Sequence, residues 1–301
     1  MNEIDAMQLN YDQGNILIVN ISLGFIMFGV ALGLTLRDFR NVLEQKRSVL
    51  AGVLSQFIVL PALTFLLIII WRPVPSVALG MMMVAACPGG NVSNFISAYS
   101  RGNAALSVSL TAISSLLAIL MTPFNLSFWG SLYGPTQEIL QKVSLDVFEV
   151  FRTIVLILGV PIVLGMFVRH RFPNTTARLQ PIIQYVSIAI FGVLVVGAFA
   201  ANFQQFLDYI SAVLLLVFLH NAIALISGYQ IGRLFSLPTG DRRSLAIETG
   251  IQNSGLGLLL IFSFFGGLGG MAIVAGWWGI WHIISGLTLG TWWHRRKLSE
   301  D

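Results

Sequence analysis

The chain is a succession of long apolar stretches separated by short polar or basic segments. We call the nine stretches of membrane-crossing length the first to ninth spans, and they cover residues 15–36, 48–71, 76–100, 104–127, 146–168, 179–201, 209–235, 243–265 and 271–294. A helix of about 20 apolar residues crosses the hydrocarbon core of a bilayer. The pattern therefore predicts an all-α, polytopic membrane protein with nine transmembrane helices.

The basic residues are distributed unequally between the two sides that these spans define. With the N-terminus outside, 14 of the 17 Lys and Arg residues fall on the inner side. The other three are Arg72, Lys142 and Arg152. Because short cytoplasmic loops carry an excess of basic residues, this predicts an outer N-terminus and a cytoplasmic C-terminus in the cell (inner) membrane. The polar segment 1–15 lacks the basic start and cleavage site of a signal peptide.

Composition agrees with a membrane protein. Hydrophobic residues make up 56% of the chain and charged residues 10%, with a mean hydropathy of +0.82, whereas soluble domains carry about 25% charged residues. The single cysteine, Cys87, excludes a disulfide framework and a cysteine-based zinc site. The net charge of +4 is explained by the inner loops and needs no nucleic-acid partner. We expect a monomer surrounded by the lipid bilayer.

Two spans are interrupted near their middle by glycine and polar residues. The third contains Cys87-Pro88-Gly89-Gly90-Asn91-Val92-Ser93-Asn94, and the eighth contains Glu248-Thr249-Gly250-Ile251-Gln252-Asn253-Ser254-Gly255. Proline removes a backbone donor, each glycine costs about 1 kcal/mol in a helix, and the freed backbone groups need partners or a cavity. Interrupted helices in corresponding halves of a chain point to a transporter's binding site. The alternative for the third span alone is a packing kink.

The two halves of the chain share a layout. The first to fourth spans and the sixth to ninth spans each contain two apolar spans, an interrupted span and one more span. With the fifth span leading the second half, this resembles an inverted repeat of five plus five helices without its first helix. The opposite orientation of the two halves is what an inverted repeat requires.

Glu248 is the only one of the 13 acidic residues well inside a predicted span. A charge there costs at least about 2.5 kcal/mol and marks a functional site. Further oxygens come from Ser107 and Thr111, four residues apart on one face of the fourth span, and from Gln56, which precedes a proline. The alternatives are an ion pair of Glu248 with Arg242 or Arg243, hydroxyls bonded to carbonyls of their own helix, and a glutamine that joins two helices.

One carboxylate among many neutral oxygens suits sodium better than calcium, whose sites usually carry several carboxylates. The C-terminal ends of half-helices favour cations and the N-terminal ends favour anions. The sequence therefore predicts a cation site beside an anion site. Proton coupling through Glu248 is the alternative, although the neutral oxygens exceed what a proton needs. No zinc-protease motif and no second deep carboxylate is present, which argues against an enzyme; a non-transporting sensor is a more distant alternative.

These motifs, in this order, resemble the bile acid:sodium symporter family over nearly the whole chain. The matching segments are Gln56-Phe57 with Pro61, Cys87-Pro88-Gly89-Gly90 with Ser93-Asn94, Arg101-Gly102-Asn103-Ala104-Ala105-Leu106-Ser107 with Thr111, and Glu248 with Gly250 and Gln252-Asn253-Ser254-Gly255. The resemblance implies a core domain (about 48–127 and 209–294) with two crossed, discontinuous helices, and a panel domain (about 15–36 and 146–201). The implied activity is sodium-coupled import, by alternating access, of a bile-acid-like anion or a small carboxylate such as pantoate or a keto acid.

The resemblance also implies site residues. One sodium site would use Ser93, Asn94, Ser107, Thr111 and Glu248, and a second would use Gln56, Glu248, Thr249, Ile251 and Gln252, in part through backbone carbonyls. The substrate would contact Gly90, Asn91, Asn253 and His282, although a histidine bonded within the helix bundle is an alternative for His282. Asn91 stands where other members often have Thr, and Ile283 is apolar where some have a polar residue.

Overall fold

The computed structural model describes residues 3–6, 13–35, 44–90, 92–142, 147–201 and 203–296. Within these ranges the secondary structure is helical and contains no β-strand, which confirms the all-α prediction for this part of the chain. The helices are α1 (Glu3–Ala6), α2 (Gln13–Ala31), α3 (Lys46–Leu54), α4 (Leu60–Trp71), α5 (Pro75–Ala86), α6 (Val92–Tyr99), α7 (Ala104–Leu132), α8 (Gly134–Lys142), α9 (Val147–Ile154), α10 (Val160–Arg171), α11 (Pro173–Ala201), α12 (Phe203–Leu234), α13 (Thr239–Gly250), α14 (Ser254–Phe264) and α15 (Gly269–His294).

Several of these helices have the length and composition of membrane spans. Within the described ranges, the segments that qualify number five: Lys46–Trp71, Ala104–Leu132, Phe151–Arg171, Val213–Leu234 and Gly269–His294. Shorter apolar helices include α5 and α14, which are halves of the interrupted third and eighth spans. The chain is thus a multi-pass membrane protein, and the count of nine spans stays a prediction.

Large apolar side chains lie on the outside of the helices as well as in the core. Phe167 on α10, Ile182 on α11 and Ile226 on α12 are each about 60% exposed. An apolar surface of this kind is unfavourable in water and favourable against lipid tails. The exterior therefore fits a bilayer.

Some helices extend beyond the spans predicted from hydropathy. α7 continues to Leu132 rather than to residue 127, and α11 begins at Pro173 rather than at residue 179. Proline is well suited to the first turn of a helix because that turn does not use its N–H group. Hydropathy marks the apolar part of a helix, whereas the backbone hydrogen bonds continue into its polar ends.

Two π-helical turns, Ser55–Val59 and Val155–Gly159, each end two residues before a proline, Pro61 and Pro161. Proline cannot donate to the carbonyl four residues earlier, so the helix widens there. The carbonyl left free by Pro61 is that of Phe57, and it accepts a hydrogen bond from Asn125 Nδ2 (3.0 Å). The second span is therefore widened before Pro61, and the freed carbonyl is still paired.

The helices pack in two groups that meet beside the interrupted spans. α2 packs against α10 and α11, while α5 packs against α15 and α12 packs against α13. Glycines permit the close approaches: a Cβ at Gly80 would lie 2.8 Å from the Met271 backbone, and one at Gly165 would lie 2.5 Å from Ala31 Cβ. α14 contacts α2 and so joins the two groups.

Candidate functional site

The breaks in the third and eighth spans lie against each other. α5 ends at Ala86 and α13 ends at Gly250, and the extended residues that follow them pair in antiparallel fashion. The freed backbone groups thereby satisfy one another, as an apolar environment requires. The pairing consists of a bridge between Gly89 and Gln252 and of hydrogen bonds from Gly90 N–H to Ile251 O (2.7 Å) and from Asn253 N–H to Pro88 O (2.8 Å).

Four helix ends converge at this pairing, which we call the crossing. The C-terminal ends of α5 and α13 carry partial negative charge, and the N-terminal ends of α6 and α14 carry partial positive charge. Each half of the chain supplies one helix end with partial negative charge and one with partial positive charge. The crossing is therefore suited to a cation on one side and an anion on the other.

The Glu248 side chain, on the last turn of α13, is fully buried at the crossing. Its Oε1 accepts hydrogen bonds from Ser93 Oγ (2.5 Å), from Ser107 Oγ and from Thr111 Oγ1 (3.1 Å). These donors come from α6 and α7, and the tight turn between the two helices brings the α7 face back to α6. The structure thus brings together the carboxylate and the three hydroxyls that the sequence predicts for the first cation site.

Asn94 completes this oxygen cluster. Its Oδ1 lies 3.0 Å from Ser107 Oγ and 3.1 Å from Thr111 Oγ1, so each hydroxyl has both Asn94 and Glu248 within reach. A hydroxyl carries one proton and can donate to only one of the two acceptors at a time. The cluster therefore holds more acceptor lone pairs than donors, which is the arrangement that a hard cation uses.

The residues predicted for the second cation site also lie at the crossing. Gln56 donates its Nε2 to the Glu248 carbonyl (3.3 Å), and Gln252 donates its Nε2 to the Thr249 carbonyl (2.8 Å). The Oε1 atoms of both glutamines are buried and have no hydrogen-bond partner in the described part of the chain. A buried acceptor without a partner costs about 1–3 kcal/mol. A bound cation would remove this cost, so the residues fit a sodium ion.

Thr249 and Ile251 also lie in this region, and each already makes hydrogen bonds. The Thr249 hydroxyl is paired with Ser55 Oγ at 2.9 Å. The carbonyl of Ile251 accepts the Gly90 N–H group. A carbonyl or hydroxyl oxygen with one partner retains a lone pair, so both residues keep acceptor capacity that a cation could use.

The alternative of an ion pair between Glu248 and the basic residues of α13 is wrong for Arg243. This buried guanidinium donates to the carbonyls of Ser100 (2.9 Å) and Trp293 (3.3 Å). Arg242 donates its Nε to the Leu237 carbonyl (2.5 Å). Both arginines lie in the N-terminal half of α13, whereas Glu248 lies in its last turn.

A cavity of about 570 Å³ lies beside the crossing, between it and the helices α2 and α11. Asn253 lines it; its Oδ1 caps α14 by accepting from Leu256 N–H (3.1 Å), which leaves Nδ2 near Met27 Sδ (3.9 Å). His282 lines it as well, and its buried Nδ1 has no partner among the described residues. The cavity thus brings two of the predicted substrate contacts together.

The two other predicted substrate contacts have different outcomes. Gly90 lines the cavity, but its N–H group donates to Ile251 and its carbonyl accepts from Ser93 N–H (2.9 Å). Gly90 therefore has no free N–H group for an anion, and what it offers an anionic ligand is clearance. Asn91 lies outside the described residues.

Asn221 is a residue of the crossing to which the sequence assigned no role. Its Nδ2 donates to the Gly250 carbonyl at the end of α13 (2.8 Å), and its Oδ1 accepts from Ser285 Oγ (2.5 Å). Its neighbour His220 pairs with Thr64 Oγ1 through Nε2 (2.7 Å). In the sequence, His220 and Asn221 form a polar pair within the apolar seventh span. Such a pair indicates that the two side chains need hydrogen-bond partners, but it does not indicate which residues those partners are.

Comparison with known proteins places these features in a family. Residues 20–209 match the model of the Sodium Bile acid symporter family. The chain is 30% identical over 278 residues to the uncharacterized sodium-dependent transporter YocS of Bacillus subtilis, which covers 92% of this chain and 83% of that protein. It is 28% identical over 243 residues to the ileal sodium/bile acid cotransporter of Homo sapiens, covering 79% and 67% of the two chains.

A plant relative gives the same result over a smaller share of its length. The probable chloroplastic sodium/metabolite cotransporter BASS1 of Arabidopsis thaliana is 28% identical over 246 residues, which is 82% of this chain and 59% of the plant protein. These matches confirm the resemblance that rested on the motifs around Gly89 and Glu248. The chain belongs to the sodium bile acid symporter family.

Proposed function

We propose that this protein is a sodium-coupled symporter that imports an organic anion by alternating access. Membership in a symporter family makes it a transporter and not an intramembrane enzyme. The relatives named above are described as sodium-dependent or as sodium cotransporters, which supports sodium as the coupling ion. The substrate class is a bile-acid-like anion or a small carboxylate such as pantoate or a keto acid.

The observation that carries this proposal is the excess of acceptor oxygens around Glu248. Asn94 and Glu248 compete for the same hydroxyl protons, and the amide oxygens of Gln56 and Gln252 are buried without partners in the described ranges. A proton on Glu248 would supply one donor and leave the amide oxygens unpaired. A sodium ion prefers several neutral oxygens with a carboxylate, so it accounts for both groups.

We assign two sodium sites that share Glu248. The first is formed by residues of α6, α7 and α13, and the second by residues of the π-turn before Pro61 and of the break after α13. The proposed ligand sets are Ser93, Asn94, Ser107, Thr111 and Glu248 for the first, and Gln56, Glu248, Thr249, Ile251 and Gln252 for the second. Two ions with one monovalent anion would move positive charge inward, so the membrane potential would assist uptake.

The anion is proposed to lie in the cavity with its acidic group near the N-terminal ends of α6 and α14. Gly90, Asn91, Asn253 and His282 are its proposed contacts. A sodium ion that neutralises Glu248 reduces the repulsion between this carboxylate and a nearby anion, and so raises the affinity for the anion. By linkage, the anion must raise the affinity for sodium by the same factor. This reciprocity is what couples the two solutes.

The membrane arrangement is part of the proposal. Nine spans with an outer N-terminus and a cytoplasmic C-terminus would place the protein in the cell (inner) membrane as an inverted repeat. The packing of α2 with α10 and α11 supports a panel domain of about 15–36 and 146–201, separate from a core of about 48–127 and 209–294. Alternating access would then be movement of the core against the panel, in a monomer. Of the basic residues behind this orientation, Arg37, Arg40 and Lys297 lie outside the described residues.

A thermal-shift screen of the purified protein tests the coupling directly. We expect bile salts, pantoate or pyruvate to raise the melting temperature in sodium but not in choline or potassium at the same pH. Saturating ligand at 100 times its Kd stabilises by about 2.7 kcal/mol, which is readily measured. Stabilisation that follows pH and ignores sodium would replace sodium with a proton on Glu248 as the coupling ion.

Asn253→Ser is expected to weaken anion binding about threefold to tenfold, the effect of one lost hydrogen bond, and to change sodium binding less. Serine retains an oxygen that can cap α14 but removes the amide Nδ2 that remains beside the cavity. Isothermal titration of each solute in the presence of the other measures both effects. Asn103→Ser is the matched control, because Asn103 caps α7 through Leu106 N–H (3.0 Å) and does not line the cavity. An equal loss of both affinities would contradict a direct contact between Asn253 and the anion.

A further inference from the structure

The cavity has a second polar surface on α11, away from the helix ends of the crossing. Gln180, Gln184 and Ser187 line the cavity and are spaced by four and three residues, so they lie on one face of the helix. We call these three residues the α11 strip. The other described cavity residues of the first span and of the π-turn after α9 are apolar or glycine, so the strip supplies the described polar groups on this side of the cavity.

The strip has hydrogen-bonding capacity that the protein does not use. The Ser187 side chain is only 6% exposed, and its Oγ has no hydrogen-bond partner among the described residues. Gln180 Nε2 reaches Gln184 Oε1 only at 3.4 Å, at the weak end of the hydrogen-bond range. A buried hydroxyl without a partner is unfavourable. A polar group of a bound molecule that reached the strip would therefore be stabilised.

Two glycines of the first span make room for the side chains of the strip. A Cβ at Gly29 would lie 2.8 Å from Ser187 Oγ, and a Cβ at Gly33 would lie 3.4 Å from Gln180 Nε2. Earlier on the same helix, Met27 lies beside Asn253 at the crossing. Six residues of helix span roughly 9 Å, so the strip extends from near the anion-binding end to roughly 9 Å away from it.

The charge of the cavity limits what the strip can bind. Of the described residues that line the cavity, none is Asp, Glu, Lys or Arg. A charged group placed against neutral amides in an apolar cavity loses its hydration without gaining a counter-charge. A hydroxyl or carbonyl group loses far less and gains hydrogen bonds.

We propose that Gln180, Gln184 and Ser187 determine substrate specificity by binding a neutral hydroxyl or carbonyl group on the apolar body of a monoanion. The acidic group of the same molecule lies at the crossing, as in the proposed function on which this inference rests. The strip thereby favours hydroxylated amphipathic monoanions over analogues that lack the hydroxyl group. It also excludes dianions whose second charge would fall on the strip.

Three steroid acids that share a carboxylate and a ring system test this selection: cholanate without a hydroxyl group, lithocholate with one, and lithocholate sulfate with a charge in its place. Pantoate and dimethylbutyrate form a shorter pair with and without hydroxyl groups. We expect each hydroxylated acid to bind about threefold to tenfold more tightly than its deoxy analogue in sodium. Lithocholate sulfate should bind most weakly of the steroids.

Variants of the α11 strip test whether its polar groups cause the preference for hydroxylated acids. Gln184→Leu and Ser187→Ala should each lower the ratio of the affinity for a hydroxylated acid to the affinity for its deoxy analogue. Gln184→Arg should reverse the order and favour lithocholate sulfate over lithocholate. Tyr185→Phe is the control, because it removes a hydroxyl from the same helix at a side chain that is 76% exposed and does not line the cavity.

The outcomes distinguish this inference from the proposed function. Equal sodium-dependent affinity for hydroxylated and deoxy acids, or a preference that persists in Gln184→Leu and Ser187→Ala, would overturn the role of the strip alone. Binding that does not depend on sodium would reject the proposed coupling. Stabilisation by sodium without binding of either series would reject the amphipathic monoanion and retain the sodium sites.

Discussion

Replacement of Glu248 with glutamine is expected to abolish sodium-coupled uptake while the protein still folds. Glutamine has nearly the same shape and keeps one oxygen that can accept from Ser93, Ser107 and Thr111. It lacks the negative charge that balances a cation in this buried position. Removing one partner of a buried charge pair costs about 3–5 kcal/mol, which corresponds to a loss of more than about 100-fold in sodium affinity.

Because Glu248 belongs to both proposed ligand sets, its replacement should remove all sodium-induced stabilisation rather than half of it. Uptake into proteoliposomes under a sodium gradient and melting curves with and without sodium measure the two effects. Glu138→Gln is the matched control, because Glu138 is exposed on α8. Sodium-coupled uptake by Glu248→Gln at the rate of the unmodified protein would show that this carboxylate does not couple the ions.

The interruptions of the third and eighth spans could be predicted because their causes are local. Pro88 and the adjacent glycines follow the end of α5, and glycine with polar residues stands at the end of α13. Pro61 likewise removes the N–H group that would bond the carbonyl four residues earlier. A proline permits such a π-turn but does not by itself require one, because Pro123 and Pro181 lie inside α7 and α11 without a π-turn.

The proximity of Ser107 and Thr111 to α6 could be predicted for a related reason. Ser107 and Thr111 face α6 because the turn at Ser100–Asn103 reverses the chain within a few residues. Arg101 adopts a left-handed conformation there (φ 57°), and Asn103 caps the next helix. A short reversal followed by a cap leaves little freedom in the direction of α7, so the spacing favours contact of Ser107 and Thr111 with α6. Their contact with Glu248, which lies 141 and 137 residues away, does not follow from spacing and was implied by the family resemblance.

The partners across the crossing could not be predicted, because they come from distant parts of the chain. Asn221 holds the end of α13 through the Gly250 carbonyl, and Ser55 pairs with Thr249. The first partnership spans 29 residues and the second spans 194. Nothing in the residues around Asn221 distinguishes this contact from one with a neighbouring helix. Such pairs depend on how the helices pack, which hydropathy does not determine.

Replacement of Gly89 with alanine is expected to weaken sodium binding and to slow sodium-coupled uptake, less severely than loss of the carboxylate. A Cβ at this position would lie 2.6 Å from Glu248 Oε2, 3.1 Å from Gln56 Nε2 and 3.2 Å from the Glu248 carbonyl. The φ of Gly89 is not in the left-handed region, so the requirement is for space and not for conformational freedom. Added volume in a packed site costs about 1–3 kcal/mol, and here it would displace oxygens of both proposed sodium sites.

Sodium titrations and uptake assays measure this effect, and we expect sodium affinity to fall by about 5- to 150-fold, the factor that corresponds to the packing cost. Gly134→Ala is the matched control, because no described residue beyond its own helix turn and chain neighbours lies within 4 Å of the Cβ that it would add. That substitution should change stability by less than about 0.5 kcal/mol. Unchanged sodium affinity in Gly89→Ala would mean that the ions bind away from Gly89, because a methyl group there cannot coexist with the observed positions of Glu248 and Gln56. The two substitutions probe different properties of one site: Glu248→Gln removes its charge and Gly89→Ala removes its space. If sodium binds at the crossing, both substitutions must weaken sodium binding.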